Sequence, residues 1–315
     1  MDPKKQIKFM TYNVWSREDV AVYTRMKAVG SLVQKHKPDV IFFQEITPYI
    51  LRIFQSFAWW KDYHCSEVKP EEQATKLQFC LMLSKIPMEN PASWKFTNTS
   101  TGRGYMEADI NPATSLPFIH IATTQLESPS GPPAAQTRSM ERYAQAEHAV
   151  AALSSARNVV LGGDMSWDDA VDMPFPLPPG SGGWADAWTA LRPNASCCVS
   201  YTYDGIWNED VTVFNGFAAE APSLRRRSDR FVCKLRDYKL GSIELIGNES
   251  IGIQYLKLQK GMSHWDTFLN YGAPALHLRP SCHLGVVLTV VLPDDPSQAT
   301  GQNWMDSWDD DDNDY

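Results

Sequence analysis

With 315 residues, 43% of them apolar, and 11 tryptophans, the chain can bury the core of one large globular domain or two small ones. No apolar run reaches the roughly 18 residues a membrane-spanning helix needs, so no membrane partner is expected. A net charge of −8 would argue against a nucleic-acid partner if evenly spread, but residues 301–315 hold six aspartates and no Lys or Arg, and removing those six leaves residues 1–300 at about −2.

The predicted elements begin with Ile7 to Asn13, which alternates as a strand does, with Ile7, Phe9, Thr11 and Asn13 on one face and Lys8, Met10 and Tyr12 on the other. Ser16 can cap a helix running to about Lys37, because Val22, Met26, Val29 and Val33 recur at helical spacing. Pro38 and Asp39 stop it, and Val40 to Gln44 reads as a buried strand that delivers Glu45 at its end. A second helix follows, capped by Thr47 with Pro48 at its first position. If the two strands are neighbours, Asn13 and Glu45 bring two metal-grade oxygens to one sheet edge.

Between Trp59 and about Leu126 the pattern predicts an antiparallel meander: Trp59 to Cys65, Gln78 to Ser84, Tyr105 to Ile110 and Phe118 to Gln125, with turns at Lys85 to Pro91 and Asn111 to Pro117. Ala134 to Ala156 reads as a helix feeding the strand Asn158 to Leu161. That strand runs into Gly162 and Gly163, which can make the tight turn from which Asp164, Ser166, Trp167, Asp168 and Asp169 emerge. The segment Met173 to Gly183, rich in Pro and Gly, is expected to shape a cleft wall. Strands are predicted again at Val199 to Tyr203, Asp229 to Leu235, Ser242 to Ile246 and Gly285 to Leu292, after the ordered segment Trp184 to Leu191. Many short strands together with long helices argue for packed sheets with helices outside. No internal repeat or domain boundary stands out.

The six cysteines show no CxxC pairing, and the opening MDPKKQIKF is charged and then strand-like, so reduced thiols and a nuclear or cytoplasmic rather than secreted protein are expected. Histidines 36, 64, 120, 148, 264 and 277 carry no motif context, unlike His283.

Strand ends thus present Asn13, Glu45, Asp164 with Ser166, and Asp229, while His283 precedes the last strand. The segments TYNVW (11–15), FQEI (43–46), GGDMSWDD (162–169), RSDRF (227–231) and PSCHLGV (280–286), in this order, resemble the motifs of the endonuclease/exonuclease/phosphatase family. Within it, TGRGYMEADI (101–110) and TTQLESPSG (123–131) are most similar to the 5′-tyrosyl-DNA phosphodiesterases, and GGDMSWDD with the PFPLP loop to their plant members. The resemblance implies an α/β fold, a four-layered α/β/β/α sandwich of two packed mixed or antiparallel sheets flanked by helices. It would occupy residues 1–295, with residues 296–315 as an acidic, disordered tail.

It also implies a Mg²⁺-dependent phosphodiesterase, with Mn²⁺ able to substitute, that releases tyrosine or peptide from single-stranded or frayed DNA 5′ ends and acts as a monomer. A phosphodiester repels nucleophiles because its oxygens are negative, so a hard divalent cation on oxygen ligands is needed to neutralise them. Glu45 with Asn13 would hold it. By the resemblance, Asp164 would orient and deprotonate the attacking water, and Ser166 would donate to a phosphoryl oxygen. His283 would stabilise developing charge as imidazolium, with Asp229 fixing its tautomer. Arg103, flanked by Gly102 and Gly104, together with Gln125, Ser166 and Arg230, completes the expected substrate contacts, and Arg225 to Arg227 is a charge run that solvation accounts for but that could extend the phosphate track.

Three positions depart from the family pattern. Ser166 stands where Asn is usual, Gln125 replaces a His, and Cys282 replaces the carboxylate before His283. Glutamine cannot supply a cation, and a thiol of pKa about 8.5 is only ~3% ionised at pH 7. Two other readings therefore stand beside the first: a diverged relative that binds DNA ends or partners without efficient turnover, and a phosphodiesterase or phosphatase acting on lipid or RNA.

Overall fold

The computed structural model describes residues 6–66, 77–129, 137–178, 183–194, 200–204, 225–256 and 275–293. The acidic tail, Val199, Cys197, Cys198 and His264 lie outside them. The alternation of β1 (Gln6–Asn13) sets the architecture, because both of its faces are buried. Met10 and Tyr12 join the cluster formed with Val29 and Val33 of α1 (Val22–His36) and with Ile50 and Phe54 of α2 (Pro48–Gln55). Ile7 and Phe9 turn the other way and meet Val160 and Phe231 of a second sheet.

Two six-stranded mixed sheets result. The first has the order β13–β16–β1–β2–β4–β3, with β2 Val40–Ile46, β3 His64–Cys65, β4 Phe79–Ser84, β13 Lys239–Ile246 and β16 Gly285–Val291. The second runs β5–β6–β7–β8–β12–β9, with β5 Met88–Lys95, β6 Gly104–Ile110, β7 Ile119–Gln125, β8 Asn158–Asp164, β9 Trp184–Asp186 and β12 Asp229–Leu235. Helix α3 (Ser139–Leu153) covers the outer face of the second sheet through Ala146, Ala149 and Val150. The layers are helix, sheet, sheet, helix, as the resemblance implied. Among the described residues no helix is long and apolar enough to cross a membrane.

Between the sheets the interior grades from apolar to polar in one direction. Ile7 and Phe9 give way to Thr11 and then Asn13; Val40 and Phe42 to Gln44; Ile119 and Ile121 to Thr123 and Gln125; Val160 to Asp164. Gln44 Nε2 bridges the sheets by donating to Thr11 Oγ1 and Thr123 Oγ1, both at 3.1 Å, so the first buried polar layer is satisfied without water. Beyond it lies the edge where the motif residues meet.

Several expectations are corrected. Helix α1 starts at Val22 behind a left-handed Ala21, not at Ser16, whose hydrogen bonds go to Glu45 instead. Trp59 to Cys65 is not a strand: Ala58–Asp62 is a 3₁₀ helix, anchored by the Trp59 ring against Phe54, and only His64–Cys65 pairs. The expected turn at Lys85 to Pro91 is largely β5, an edge strand whose bulge at a left-handed Asn90 accommodates Pro91. The meander is also divided, since β4 pairs with β2 in the first sheet and β7 runs parallel to β8. Trp184 to Leu191 is split between β9 and a short helix α4 (Ala187–Leu191), and Tyr203–Asp204 forms β10 against β11 (Arg225–Arg226).

Gly162 and Gly163 do not make a turn. Both lie inside β8, and neither has a left-handed φ. They are needed for close approach: a Cβ at Gly162 would sit 2.6 Å from the Phe231 ring, and one at Gly163 would sit 2.1 Å from the Thr124 carbonyl oxygen. The second contact is with backbone, which cannot rotate away. Gly163→Ala is therefore expected to destabilise the protein by about 1–3 kcal/mol through overpacking, read as a lowered denaturation midpoint in urea. An unchanged midpoint would show that β7 and β8 can separate without cost.

Candidate active site

Glu45 reaches the site through a local irregularity. Ile41 and Phe43 face the helices, and simple alternation would send Glu45 the same way. Instead the β2–β4 register shifts between Phe43 and Ile46, and Glu45 takes a left-handed φ of 60°. That backbone is costly for a non-glycine residue, and such strain is characteristic of functional sites. Ser166 is the counterpart in the other sheet, at φ 48° just past β8.

Asn13 lies between the two carboxylates. Its Nδ2 donates to Glu45 Oε1 at 3.1 Å and to Asp164 Oδ2 at 2.9 Å, and its Oδ1 is fixed by the Trp15 amide at 2.9 Å. Here Asn13 is a donor that bridges acids; its oxygen is turned away from them. The other Glu45 oxygen accepts from the Ser16 amide at 3.0 Å and hydroxyl at 3.1 Å. Gln125 Nε2 repeats the bridge, donating to Glu45 Oε1 at 3.0 Å and to Asp164 Oδ2 at 3.2 Å. Asp164 Oδ1 accepts from the Ser166 amide at 2.8 Å, and the Ser166 hydroxyl shares a 2.9 Å hydrogen bond with Ser128.

Asp229 stands directly across from Asp164 in the β8–β12 ladder, and its Oδ2 holds His283 Nδ1 at 2.8 Å. Ligand atoms of Asp164, Asp229 and His283 all lie within 4.8 Å of one another, and all three residues are buried. Burial alone would depress the His283 pKa, but the charges of Asp229 and Asp164 outweigh it and hold the imidazole well above its ordinary value. Burial pushes the Asp164 carboxyl up, yet the His283 charge, the Ser166 amide and the Asn13 side chain leave it below the usual carboxylate range. In Asp229 burial prevails and the pKa is raised. The cluster therefore holds an ionised Asp164 beside a charged imidazole.

Arg103 joins through Gln125, whose Oε1 accepts a short hydrogen bond from Arg103 Nη1. The preceding loop is held by Glu127, which is fully buried and accepts hydroxyl hydrogen bonds from Thr99, Ser100 and Thr101 at 2.9, 2.9 and 3.1 Å. Arg230 is drawn elsewhere: it pairs with Asp169 at 2.6 Å and Asp186 at 3.2 Å, alongside Arg227, so its charge is spent on the acidic loop. Asp168 and Asp172 brace the same loop, with Asp172 on the buried Arg142 at 2.7 Å, and Trp167 is core. Within GGDMSWDD only Asp164 and Ser166 face the cluster. The Pro-rich segment packs Phe175 on Trp167, with ring centroids 4.7 Å apart.

Sequence reasoning missed Ser16, Glu127, Ser128 and Tyr203. Ser16 was assigned to a helix cap, Glu127 and Ser128 lay inside a quoted segment without a role, and Tyr203, whose ring lies 5.0 Å from that of His283, was read only as the end of a strand.

A testable consequence concerns His283. Its folded-state pKa is raised, so its stabilising contribution is complete below about 6.5, the unfolded value, and is lost as pH rises through the raised value. NMR titration should find the ring still charged at neutral pH, with Asp229→Asn moving the midpoint to lower pH. His283→Ala leaves Asp229 buried without its partner and is expected to cost about 3–5 kcal/mol of stability at neutral pH. A midpoint near 6.5 in the parent protein would contradict the charged pair.

A four-layered sandwich with paired carboxylates, an amide bridge and an Asp–His couple at one edge defines a phosphoesterase-like site. Residues 10–235 match the model of the Endonuclease/Exonuclease/phosphatase family, and the chain belongs to that family. It is similar in fold to TDP2 from Caenorhabditis elegans, with 20% identity, a TM-score of 0.67, and coverage of 92% of this chain and 77% of that one. Similar too are Danio rerio TDP2 complexed with single-strand DNA product (19% identity, TM-score 0.66, 91% of this chain and 99% of that one) and the human Nocturnin catalytic domain with bound sulfate (16%, 0.59, 93% and 97%). No curated protein sequence matches the chain.

Proposed function

We propose that the protein is a metal-dependent phosphodiesterase that hydrolyses 5′-phosphotyrosyl links at DNA ends. One observation carries this reading: Asp164 is held between the amide donors of Asn13 and Gln125 on one side and the hydrogen-bonded His283–Asp229 pair on the other. The same family and the fold shared with a TDP2 bound to single-strand DNA product support the substrate class.

The donor set fits a hard divalent cation. Glu45 offers carboxylate oxygens on a strained backbone, and Asp229 Oδ1 is buried with no partner among the described residues. Mg²⁺, or Mn²⁺ in its place, would be held by Glu45 and would neutralise phosphoryl oxygens and acidify water there. Asp164 is oriented by donors from three residues, Asn13, Gln125 and Ser166, and has a lowered pKa, so it aligns a water more than it captures a proton. His283, as imidazolium, donates from Nε2 because Nδ1 is committed to Asp229, and so stabilises charge developing on the phosphoryl group. A tyrosyl leaving group, whose phenol has a pKa near ~10, departs with little protonation.

The family's missing histidine is replaced in pieces. Gln125 orients the two carboxylates, and its Arg103 partner brings the positive charge that Gln125 lacks. Arg103→Ala should therefore raise KM for a charged oligonucleotide more than it lowers kcat.

The decisive assay offers a single-stranded oligonucleotide bearing a 5′-phosphotyrosine, with Mg²⁺ or with EDTA. Tyrosine release that needs the metal and falls by on the order of 10²-fold or more in Glu45→Ala is the expected result. No turnover by the parent but recovery in Cys282→Asp would instead identify a diverged binder, and turnover of lipid or inositol phosphates alone would reassign the substrate.

A further inference from the structure

Arg226 occupies an unusual position beside this site. Strand β11 pairs with β10 so that Arg226 lies opposite Tyr203, and Tyr203 in turn forms a β-bridge with His283. Directly paired residues project from the same face, so the three side chains form a row. The Arg226 guanidinium lies over the Tyr203 ring at 4.4 Å, and the Tyr203 ring lies 5.0 Å from that of His283. One aromatic ring thus separates two cations.

The arginine is only 8% exposed, yet its Nε and Nη1 have no hydrogen-bond partner among the described residues. Its sequence neighbours are neutralised: Arg225 pairs with Asp204 at 3.3 Å, and Arg227 with Asp186 at 2.7 Å. The other buried arginines are tied as well, Arg25 to carbonyls of the loops around it, Arg142 to Asp172, and Arg230 to Asp169 and Asp186. Among the described residues, Arg226 alone of these six makes no side-chain hydrogen bond to a carboxylate or carbonyl. Stacking on Tyr203 uses the guanidinium face and leaves the in-plane N–H groups unspent. Asp164 and Asp168 attract the guanidinium from a distance, but among the described residues no acceptor reaches Nε or Nη1, and leaving such buried donors unpaired is costly unless a ligand's oxygens complete them.

We propose that Arg226 is a phosphate receptor of the substrate cleft, holding a backbone phosphate of the bound nucleic-acid strand on the far side of Tyr203 from His283. The inference rests on the phosphodiesterase reading and adds to it a second phosphate position beyond the scissile one. Phosphate fits because its oxygens accept from several guanidinium N–H groups at once. Tyr203 fixes the plane of the guanidinium, so the site is built before the ligand arrives.

The test uses the full chain without metal, with a fluorescent single-stranded oligonucleotide carrying a 5′-phosphate, followed by anisotropy over a KCl series. Losing one single-strand phosphate contact lowers the slope of log K against log salt by ~0.7. Arg226→Gln should show that loss together with roughly tenfold weaker binding at low salt, while Arg226→Lys keeps the slope with lower affinity. Arg157→Gln, at the opposite end of β8 and exposed, should leave both unchanged. A merely structural arginine would lower the melting temperature without touching the slope, whereas removing an orphaned buried charge should leave the ligand-free melting temperature equal or higher. If Arg226→Gln proves unstable, ¹⁵N NMR of the Arg226 Nε–H in the parent decides: it shifts when the oligonucleotide is added if the proposal holds, and stays put if it does not. An unchanged slope with intact phosphotyrosyl hydrolysis overturns this proposal alone. Failure of the parent to bind the oligonucleotide at all, both without metal and with Mg²⁺ added, overturns it together with the phosphodiesterase reading.

Discussion

Three carboxylates, from Glu45, Asp164 and Asp229, are brought by strands of both sheets to one buried edge, and the cost of keeping that much negative charge out of water governs what surrounds them. Two unit charges about 4 Å apart repel by ~4 kcal/mol at an effective dielectric near 20, comparable with a sizeable part of a domain's net stability. The chain meets this cost with donors, not with apolar shielding. Asn13 and Gln125 each give one amide nitrogen to two acids, Ser16 and Ser166 add backbone N–H groups, and His283 contributes a full positive charge beside Asp229. Among the described residues, Asp229 Oδ1 and two guanidinium nitrogens of Arg226 stay buried without a hydrogen-bond partner.

Such an arrangement works only if the loops bearing the donors are rigid. Arg25, fully buried on α1, donates to the carbonyls of Val14, Trp15 and Val20 after β1 and to Pro280 before His283. It also stacks on Trp15 at 4.8 Å. One side chain thus couples the loop that positions Ser16 to the loop that positions His283. Ser281 makes the same connection over a shorter path, donating to the Asn13 carbonyl at 2.7 Å while accepting from the His283 amide at 3.2 Å. Glu127 performs the equivalent task for the loop before Arg103. Side chains with no direct role in the chemistry therefore hold these loops, because each strained or converging segment needs its own anchor.

Much of this was legible in the sequence, and the reason is the polarity gradient along the strands. An apolar run that ends in Asn, Glu or Asp marks Asn13, Glu45 and Asp164 as candidates, Asp229 opens its strand, and the resemblance of the ordered motifs to the family is what brought the four to one edge. What escaped was whatever depends on backbone detail or on partners distant in sequence. The bulge that redirects Glu45 leaves no mark in FQEI, and the glycines of GGD signal a turn and a close approach with the same letters. Pro91 suggested a turn because proline is excluded from central strands, but β5 is an edge strand with a bulge that tolerates it. Arg230 and Arg226 are adjacent in character and four residues apart, yet their fates differ because Asp169 and Asp186 reach only the first.

The substitutions at positions 125 and 282 do not weigh equally once their surroundings are known. Gln125 remains inside the cluster, touching both carboxylates and passing its oxygen to Arg103, so the exchange of histidine for glutamine redistributes a charge without deleting it. Cys282 packs with Trp15, Val20, Tyr203 and Leu278 in an apolar cluster, where burial raises the thiol pKa even though His283 opposes it. A carboxylate at that place would have added a fourth negative charge next to three. Its absence lowers the electrostatic strain of the edge and leaves Asp164 and Asp229 as the carboxylates that set the His283 charge. It also removes one counter-charge from the vicinity of Tyr203, on whose other face Arg226 lies unpaired. The loss of an acid on one side of that ring and a base without a hydrogen-bonded acid among the described residues on the other both shift the cleft toward positive potential, which is the sign a polyanionic strand requires.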